Sequence, residues 1–223
     1  MPEFDAFARN YRDLVSESVR ISGESSEYFA RYKADYVARE IGAASKILDY
    51  GCGVGLLSRN LKRVFPQSRV DGFDLSEESL QQVDASLRAQ GVFSACASEL
   101  ERDYDVIIIA NVLHHVRPAE RQELVREVAG RLAAGGRLVI FEHNPLNPLT
   151  RWAVSHCPFD EDAVLLQVGE ARAHVQFSSL RVVKRDYIVF FPRWLRWFRP
   201  VEKHLGWLSL GAQYAIVAKS SRP

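Results

Sequence analysis

Residues 47–57 read ILDYGCGVGLL, and this stretch decides how the chain folds. It begins as a short strand, and glycines at alternate positions then separate that strand from the beginning of a helix. Glycine permits positive φ and lets a ligand approach the backbone closely. The first turn of a helix offers N–H groups that have no partner within the helix. The stretch therefore indicates a strand, a turn that can hold a nucleotide-like ligand, and a helix in direct succession.

Short apolar runs recur along the chain and predict the other strands of one sheet. The clearest of them covers residues 105–110 and reads DVIIIA. Continuous apolar runs of this kind are typical of strands that are buried on both faces of a parallel sheet. The complete set of predicted strands covers residues 46–50, 69–73, 92–97, 105–110, 137–142, 180–190 and 213–218.

Amphipathic windows lie between these runs and predict helices. One helix covers residues 56–65, a second begins at Ser76, and a third extends from Pro118 to the glycine pair at 135–136. Residues 1–44 also have helical spacing. The buried faces of the second and third helices are predicted to consist of Leu80, Val83, Leu87, Leu124, Val125, Val128 and Leu132.

The alternation of strands and helices predicts an α/β fold with a doubly wound sheet and helices on both faces. We expect seven strands, mostly parallel, with an antiparallel last strand. No stretch has the composition of a linker, so residues 1–223 are predicted to form a single domain. Within it we expect an N-terminal helical cap at 1–44, a cofactor-binding half at 45–143 and a substrate-side half at 144–223.

The composition excludes several classes of protein. The chain has 223 residues, and its 29 Lys and Arg residues nearly balance 28 Asp and Glu residues, which leaves a net charge of +1. A neutral chain lacks the positive field that drives non-specific binding to nucleic acids, so we expect no nucleic-acid partner. The three cysteines have no regular spacing, which argues against a disulfide framework or a zinc site. We therefore expect a reducing environment and no metal ion.

The ends of the chain and its hydropathy suggest a location. The first residues lack the basic start and apolar core of a signal peptide. The longest uncharged stretch, 204–218, is too short to span a bilayer and is interrupted by glycines. The predicted location is the cytoplasm.

Two carboxylates narrow the choice of ligand. Asp49 lies in the first strand beside the glycines, and Asp74 follows the second strand, 23 residues after Gly51. A carboxylate at the second position can bind both hydroxyls of a ribose. A carboxylate beside the loop disfavours an anionic pyrophosphate and favours a cationic ligand. S-adenosylmethionine has a ribose, an α-amino group and a sulfonium, and therefore matches both positions.

Four segments in this order resemble a known family. They read ILDYGCGVG, VDGFDLSEESL, DYDVIIIANVLHHV and LAAGGRLVIFEHN, and they span roughly residues 45–145. Together they are similar to the successive motifs of class I S-adenosylmethionine-dependent methyltransferases. The resemblance implies a Rossmann-like methyltransferase fold, S-adenosylmethionine as the cofactor, and transfer of a methyl group to an acceptor.

The resemblance also implies roles for individual residues around the cofactor. The loop residues would pass beneath the methionine part, Asp49 would hold its amino group, and Asp74 would bind the ribose. Leu75 would pack on the adenine, and Asn111 would lie near the methionine. The family often has an Asp after the third strand, whereas this chain has Ser98 and Glu99 there, and Ser98 is our candidate substitute. The loop residues in question are Gly51, Cys52, Gly53 and Gly55.

Three histidines are candidates for a catalytic base, because they follow the fourth and fifth strands where the ligand crevice should open. His114 and His115 follow the fourth strand, and His143 follows Glu142 at the end of the fifth. Glu142 could orient His143. The alternative is that these histidines pack structurally or bond to the backbone.

Aromatic and basic residues point to the acceptor side. Tyr11 and Tyr28 could roof the pocket, and Arg193 could meet a negatively charged acceptor group. Residues 191–208 are rich in Trp, Phe and Arg and could form a basic amphipathic helix on a membrane surface. The alternative, which we favour, is a cap packed on the sheet with arginines directed outward. Cys157 precedes a proline, yet it is best explained as a small buried residue.

The sequence thus predicts a methyltransferase that modifies oxygen or carbon of a small, apolar or lipid-like molecule. Three alternatives remain open. The chain could act on protein or RNA, it could bind the cofactor without turnover, or it could be a nicotinamide-dependent oxidoreductase. Asp49 beside the loop argues against the last of these. The sequence does not specify an oligomeric state.

Overall fold

The computed structural model describes residues 22–157, 160 and 162–220. Seven strands form one sheet in the order β3-β2-β1-β4-β5-β7-β6. Neighbours from β3 to β5 are parallel, while β7 is antiparallel to both β5 and β6. This confirms the predicted doubly wound, mostly parallel sheet with an antiparallel last strand. The strands are β1 Lys46–Tyr50, β2 Arg69–Phe73, β3 Phe93–Ser94, β4 Tyr104–Ala110, β5 Leu132–His143, β6 Leu180–Ile188 and β7 Gln213–Ser220.

Helices connect the strands and cover both faces of the sheet. Short 3₁₀ turns also occur at Ala97–Glu99 and Leu113–His115, and a longer 3₁₀ segment covers Arg193–His204. The α-helices are α1 Ser26–Ile41, α2 Leu56–Val64, α3 Glu77–Gln81, α4 Ala85–Arg88, α5 Pro118–Ala129, α6 Pro148–Ser155 and α7 Val168–Phe177.

The central strands have apolar residues at every position because both of their faces are buried. Successive side chains of a strand point to opposite faces. Ile107 and Ile109 of β4 accordingly pack in one layer with α5 and α7. Ile108 of the same strand packs in the other layer with α1 and α2. The sheet thus lies between two helical layers, which leaves the ends of its strands available for a ligand.

The structure corrects the predicted end of the third helix. That helix, α5, ends at Ala129, and Leu132 already belongs to β5, where it pairs with Tyr104. The pairing then shifts, so that the next partners are Val106 and Arg137. The residues between the two pairs form a bulge in which Gly135 has a φ of 69°. Glycine is common both in β-bulges and at the C-terminal ends of helices. The glycine pair at 135–136 therefore did not distinguish the bulge from a helix end.

The predicted helix at Ser76 is two short helices. The Ser76 hydroxyl accepts a hydrogen bond from the backbone of Ser79 and caps α3, and Asp84 caps α4 in the same way. Leu80, Val83 and Leu87 are nevertheless buried together, as predicted. A second cap interrupts the helix without changing its buried face.

The third strand is shorter than the predicted 92–97. Only Phe93 and Ser94 pair with β2. The Asp71 carboxylate accepts the N–H of Val92, and the Ser94 hydroxyl accepts the N–H of Cys96. Side chains thus replace the sheet ladder at both ends of this edge strand.

The aromatic segment 191–208 differs from the expected cap. It forms 3₁₀ helix, and its large apolar side chains Trp194, Trp197 and Phe198 are exposed. Arg193 and Arg196 are exposed, as expected for arginines directed outward. Two other polar side chains face the protein: Arg199 pairs with Glu24, and the Glu202 carboxylate accepts the N–H groups of Phe190 and Phe191. In the described ranges, no helix is both long and apolar enough to cross a membrane.

Candidate active site

A cavity of about 1130 Å³ opens at the carboxyl ends of the parallel strands. The last residue of each of four strands lines it, namely Tyr50, Phe73, Ala110 and His143. This is the place where ligands bind in open parallel sheets. This volume exceeds that of an ordinary pocket for one drug-sized ligand, so the cavity can hold a cofactor together with part of an acceptor.

The glycine loop forms the floor of this cavity. Gly51 and Cys52 both donate backbone hydrogen bonds to the carbonyl oxygen of Phe73, at 2.7 and 2.9 Å, which ties the loop to the end of β2. Gly51, Gly53 and Gly55 all have positive φ. A Cβ at Gly51 would overlap Val112, and one at Gly55 would press on Val83, whereas one at Gly53 would meet no atom within 4 Å.

Gly53 is therefore the glycine whose missing side chain leaves open space, and it lines the cavity together with Cys52. Gly51 also lines the cavity, but its own side-chain position is filled by Val112. Gly55 is the N-cap residue of α2. A glycine fits there because the backbone has a left-handed φ and because the side chain of Val83 lies close to the position of a Cβ.

Asp74 lies beside the loop at the end of β2. Its carboxylate accepts the N–H of Gly53 at 2.7 Å and the N–H of Ser76 at 2.9 Å. The loop and the start of α3 therefore hold the carboxylate in one orientation. Leu75, the next residue, lines the cavity with 58% of its surface exposed. An exposed apolar side chain in a cavity is suited to a flat apolar ligand.

Asp49 is buried beneath the loop, and its carboxylate accepts the hydroxyl of Ser58 at 2.6 Å. Burial raises the pKa of Asp49 to about 6, and the charge of Asp74 adds to this effect, while Ser58 and Lys33 oppose it. A carboxylate with a raised pKa gains from the arrival of a cation, because the cation restores the charged form.

Lys33 of α1 is a site residue that the sequence reasoning missed. It is buried, it lines the cavity, and its ammonium lies 5.8 Å from the centre of the Phe141 ring. Burial lowers the pKa of Lys33 to about 8, although the charges of Glu142 and Asp49 oppose the shift. The signal was present: Lys33 lies on the same face of α1 as Ala30 and Val37, where only apolar residues are expected.

Three buried polar atoms that border the cavity have no hydrogen-bond partner among the residues that the structure describes. They are the hydroxyl oxygen of Tyr28, Oδ1 of Asn111 and Oε1 of Gln213. Asn111 also has a φ of 58°, an uncommon conformation for a residue other than glycine. Buried polar atoms normally have partners, so these three indicate a polar ligand.

The histidines after β4 and β5 form a group with two carboxylates. Nδ1 of His114 lies 2.6 Å from Oε2 of Glu142, and the other oxygen of Glu142 accepts the N–H of Leu113 at 2.7 Å. Burial by itself would lower the pKa of His114, but the charges of Glu142 and Asp160 raise it to about 9. The same interaction with His114 lowers the pKa of Glu142 despite its burial. Glu142 therefore orients His114 rather than His143.

The surroundings of the other two histidines favour their neutral forms. Burial and the adjacent charge of His114 lower the pKa of His115 to about 4 and that of His143 to about 3. Nε2 of His115 and Nε2 of His114 each lie 3.4 Å from Oδ1 of Asp160. Asp160 was absent from the sequence-derived candidates because nothing in its local sequence connects it with the two histidines.

Some of the remaining candidates line the cavity, and others do not. Tyr28 lines it, and the Arg199 guanidinium stacks on its ring at 4.3 Å. Ser98 is exposed on a 3₁₀ turn, 2.9 Å from the sulfur of Cys96, and Arg193 is exposed beside Gly23. Neither is among the residues that line the cavity. Tyr11 lies outside the described residues. Cys157 is buried, and it lines the cavity.

Comparison with known proteins supports the resemblance seen in the sequence. Residues 48–138 match the family model described as a methyltransferase domain. The chain is 30% identical over 134 residues to the ubiquinone biosynthesis O-methyltransferase of Caulobacter sp. strain K31, covering 56% of this chain and 52% of that protein. It is 27% identical over 134 residues to the ribosomal protein L11 methyltransferase of Dechloromonas aromatica, covering 57% of this chain and 42% of that protein. The chain thus spans about half the length of these curated relatives.

A solved structure extends the likeness to nearly the whole chain. The structure of a SAM-dependent methyltransferase from Archaeoglobus fulgidus superposes with a TM-score of 0.69 at 16% identity. The match covers 88% of this chain and 95% of that one. Residues 48–138 thus match the methyltransferase domain model, and the chain has the fold of the class I S-adenosylmethionine-dependent methyltransferases.

Proposed function

We propose that this protein binds S-adenosylmethionine and transfers its methyl group to oxygen or carbon of a small, largely apolar acceptor. The observation that carries the proposal is the joint position of the glycine loop, two carboxylates and unpartnered polar atoms around one cavity. Each of these features matches a different part of the cofactor. The family match of residues 48–138 supports the same chemistry.

The nucleoside part of the cofactor fits Asp74 and Leu75. The backbone bonds from Gly53 and Ser76 orient the Asp74 carboxylate at the edge of the cavity, and a carboxylate at this position is suited to bind the hydroxyls of a ribose. The exposed side chain of Leu75 would cover one face of the adenine. Ser98 remains a prediction for the adenine edge.

The methionine part fits the loop, Asp49 and Lys33. The open space at Gly53 would receive the chain of the ligand. The α-ammonium would bind Asp49, directly or through water, and the α-carboxylate would pair with the buried cation of Lys33. The unpartnered Oδ1 of Asn111 would accept a hydrogen bond from the ammonium. A pyrophosphate would instead meet the buried carboxylate of Asp49, which disfavours a dinucleotide.

Methyl transfer requires an acceptor atom in line with the sulfonium. The cofactor, when bound, would supply the methyl group: an electron pair of the acceptor oxygen or carbon would form the bond to the methyl carbon, and the electrons of the carbon–sulfur bond would go to sulfur. The cofactor product is neutral S-adenosylhomocysteine, and the acceptor proton must go to a base. His143 is our candidate base because its imidazole lines the cavity at the end of β5. Its lowered pKa makes it a weak base in the unliganded protein, so only the position of the side chain supports this role. His114 and His115 would hold the same wall of the pocket.

The acceptor side of the cavity is mostly apolar. The apolar residues that line it include Phe29, Leu149, Val154, Phe191 and Trp194. Such walls favour a small apolar or lipid-like acceptor that carries one polar reacting group. The role of Tyr28 as a contact of the acceptor fits its unpartnered hydroxyl. Tyr11 and Arg193 remain predictions on this side.

Calorimetric titration of the full chain tests the cofactor assignment. S-adenosylmethionine and S-adenosylhomocysteine should bind with micromolar dissociation constants, and NAD should not bind. Binding of NAD alone, or of none of the three, would contradict the proposal. Production of S-adenosylhomocysteine with a panel of small phenols and carboxylic acids tests the acceptor class. Turnover with RNA or protein in the absence of any small acceptor would contradict that part only.

A further inference from the structure

Three side chains after β4 and α6 converge on one point at the wall of the cavity. One ring nitrogen of His114, one of His115 and one carboxylate oxygen of Asp160 all lie within 4.8 Å of one another, and Nε2 is the nitrogen of each histidine that faces Asp160. Both nitrogen–oxygen distances to Asp160 are 3.4 Å. These distances exceed those of a normal N–H···O hydrogen bond. They equal the separation of about 3.4 Å between ligands in a tetrahedron with metal–ligand bonds of about 2.0–2.1 Å.

A second carboxylate orients this group. Glu142 contacts Nδ1 of His114 at 2.6 Å, on the side of the ring opposite to the nitrogen that faces Asp160. A backbone N–H from Leu113 holds the other oxygen of Glu142 at 2.7 Å. Histidines that bind metal ions usually donate their second N–H to such a carboxylate. The arrangement leaves Nε2 of His114 as the nitrogen whose lone pair can bind an ion.

The charges around the group also favour a cation. Glu142 and Asp160 are both buried or half-buried. In the described part of the chain, neither forms an ion pair with a lysine or an arginine, and their ion-pair partners are histidines. Metal binding requires the neutral imidazole of His114, so the ion would displace the proton of this side chain. The two carboxylates would then balance the charge of one divalent cation.

We propose that His114, His115 and Asp160 bind a divalent transition-metal ion, with Zn²⁺ as the best fit to two imidazoles and one carboxylate. Three protein ligands leave at least one coordination position, and all three residues line the cavity, so this position is open to a ligand there. An ion in this place would bind an oxygen of the acceptor and favour its deprotonated form. The acceptor would then carry a hydroxyl, phenol or carboxyl group.

The binding of the ion does not depend on the proposed methyl transfer, whereas its use by the acceptor does. His143 stays outside the ligand set, with its ring centre 5.0 Å from that of His114. The competing possibility is an ion-pair network of His114, His115 and Asp160 without any metal ion. The two possibilities differ in what the protein binds, so they can be separated without knowing the acceptor.

Titration of the metal-stripped full chain with ZnCl₂ tests the site. We expect one Zn²⁺ per chain in calorimetry. With CoCl₂ we expect the intense visible absorption of a four- or five-coordinate ion rather than the weak bands of an octahedral one. Asp160→Asn should weaken Zn²⁺ binding by more than tenfold and change the Co²⁺ spectrum. Glu142→Gln, which keeps the ligands, should weaken binding about 10–100-fold.

His156→Ala is the matched control, because His156 is an exposed histidine that stacks on Trp152 near the same segment. It should leave Zn²⁺ binding unchanged. Absence of stoichiometric Zn²⁺ binding in the unmodified chain, or binding that Asp160→Asn does not weaken, would overturn the proposal. Titration of each variant with S-adenosylhomocysteine shows whether it is folded, and separates failure of the metal site from failure of the proposed cofactor site.

Discussion

Glu142 and His114 form a buried pair with a separation of 2.6 Å between carboxylate oxygen and imidazole nitrogen. The pair joins the end of β5 to the 3₁₀ turn after β4, and the same carboxylate holds the N–H of Leu113. Neighbouring parallel strands bring the two residues together, since β4 and β5 pair up to Ala110 and Phe141. One carboxylate thus fixes both the backbone and the imidazole at the wall of the cavity.

Loss of this carboxylate should destabilise the protein. Glu142→Gln keeps the shape of the side chain but leaves the buried imidazole without its counter-charge, so we expect a loss of about 1–3 kcal/mol in the free energy of unfolding. Urea denaturation monitored by circular dichroism measures it. Glu123→Gln, on the exposed face of α5, is the control and should be nearly neutral. Equal stability of the two variants would contradict the structural role of Glu142.

Removal of the charge of Asp74 should weaken cofactor binding. Asp74→Asn keeps one acceptor oxygen but loses the charge-assisted bonds to the ribose hydroxyls, and we expect the dissociation constant of S-adenosylhomocysteine to rise about 10–100-fold. Ser98→Ala is the control that the structure suggests, because Ser98 does not line the cavity. An unchanged affinity in Asp74→Asn would rule out the ribose assignment, and a large loss in Ser98→Ala would support the original prediction for Ser98.

The pH dependence of cofactor binding should report the charge of Asp49. Its pKa in the unliganded protein is raised to about 6, so the carboxylate is ionised above that pH and becomes protonated as the pH falls through it. Affinity for the ammonium group of S-adenosylhomocysteine should therefore be lost as the pH is lowered from 7 to 5. Calorimetry across this range measures the loss. Asp49→Asn should bind more weakly at pH 7 and show a flatter profile, and an identical profile in both proteins would exclude Asp49.

Lys33 should distinguish between ligands with and without the amino-acid part. Lys33→Met retains most of the buried volume but removes the cation, so S-adenosylhomocysteine should bind at least tenfold more weakly. Adenosine has no carboxylate, and its affinity should be unchanged. Competition between each ligand and a labelled cofactor gives both values. A parallel loss for adenosine would show that Lys33 only supports the structure of the cavity.

Substitutions of two loop glycines should have different effects, one on the stability of the protein and the other on its affinity for the cofactor. Gly51→Ala places a methyl group in the space of Val112, and we expect a large loss of thermal stability. Gly53→Ala meets no atom within 4 Å, so its cost is limited to about 1 kcal/mol for the positive φ. Its methyl group should nevertheless reduce cofactor affinity. Scanning calorimetry with and without S-adenosylhomocysteine checks both variants, and an unstable Gly53→Ala protein with normal affinity would reverse the assignment.

Local patterns in the sequence predicted most of the sheet. β1 and β2 have the predicted bounds, β4 begins one residue earlier than predicted, and β5 extends beyond its predicted bounds at both ends. The misplaced features share a cause. The end of α5, the break after α3 and the short β3 depend on caps, bulges and side chains that replace backbone hydrogen bonds. Such interactions involve partners outside the local pattern, and the periodicity of apolar residues does not record them.

Some residues of the candidate site could likewise be predicted from the sequence, whereas others could not. The glycine loop, Asp49, Asp74 and Asn111 follow strand ends, and parallel strands bring their carboxyl ends to one edge of the sheet. Their convergence could thus be predicted from the order of strands. The buried position of Lys33 and the unpartnered hydroxyl of Tyr28 depend on how α1 packs over that edge.

The sequence by itself determined the strand–turn–helix unit, the mostly parallel sheet and the carboxylates beside the loop, because these follow from residue spacing within single elements. Only the tertiary structure decided that Glu142 pairs with His114 instead of His143, and that Asp160 joins His114 and His115. Alternate residues of a strand face opposite layers, so a neighbour in sequence is a poor guide to a partner in space. The charge of each histidine follows from those partners and from burial, which exist only in the folded chain.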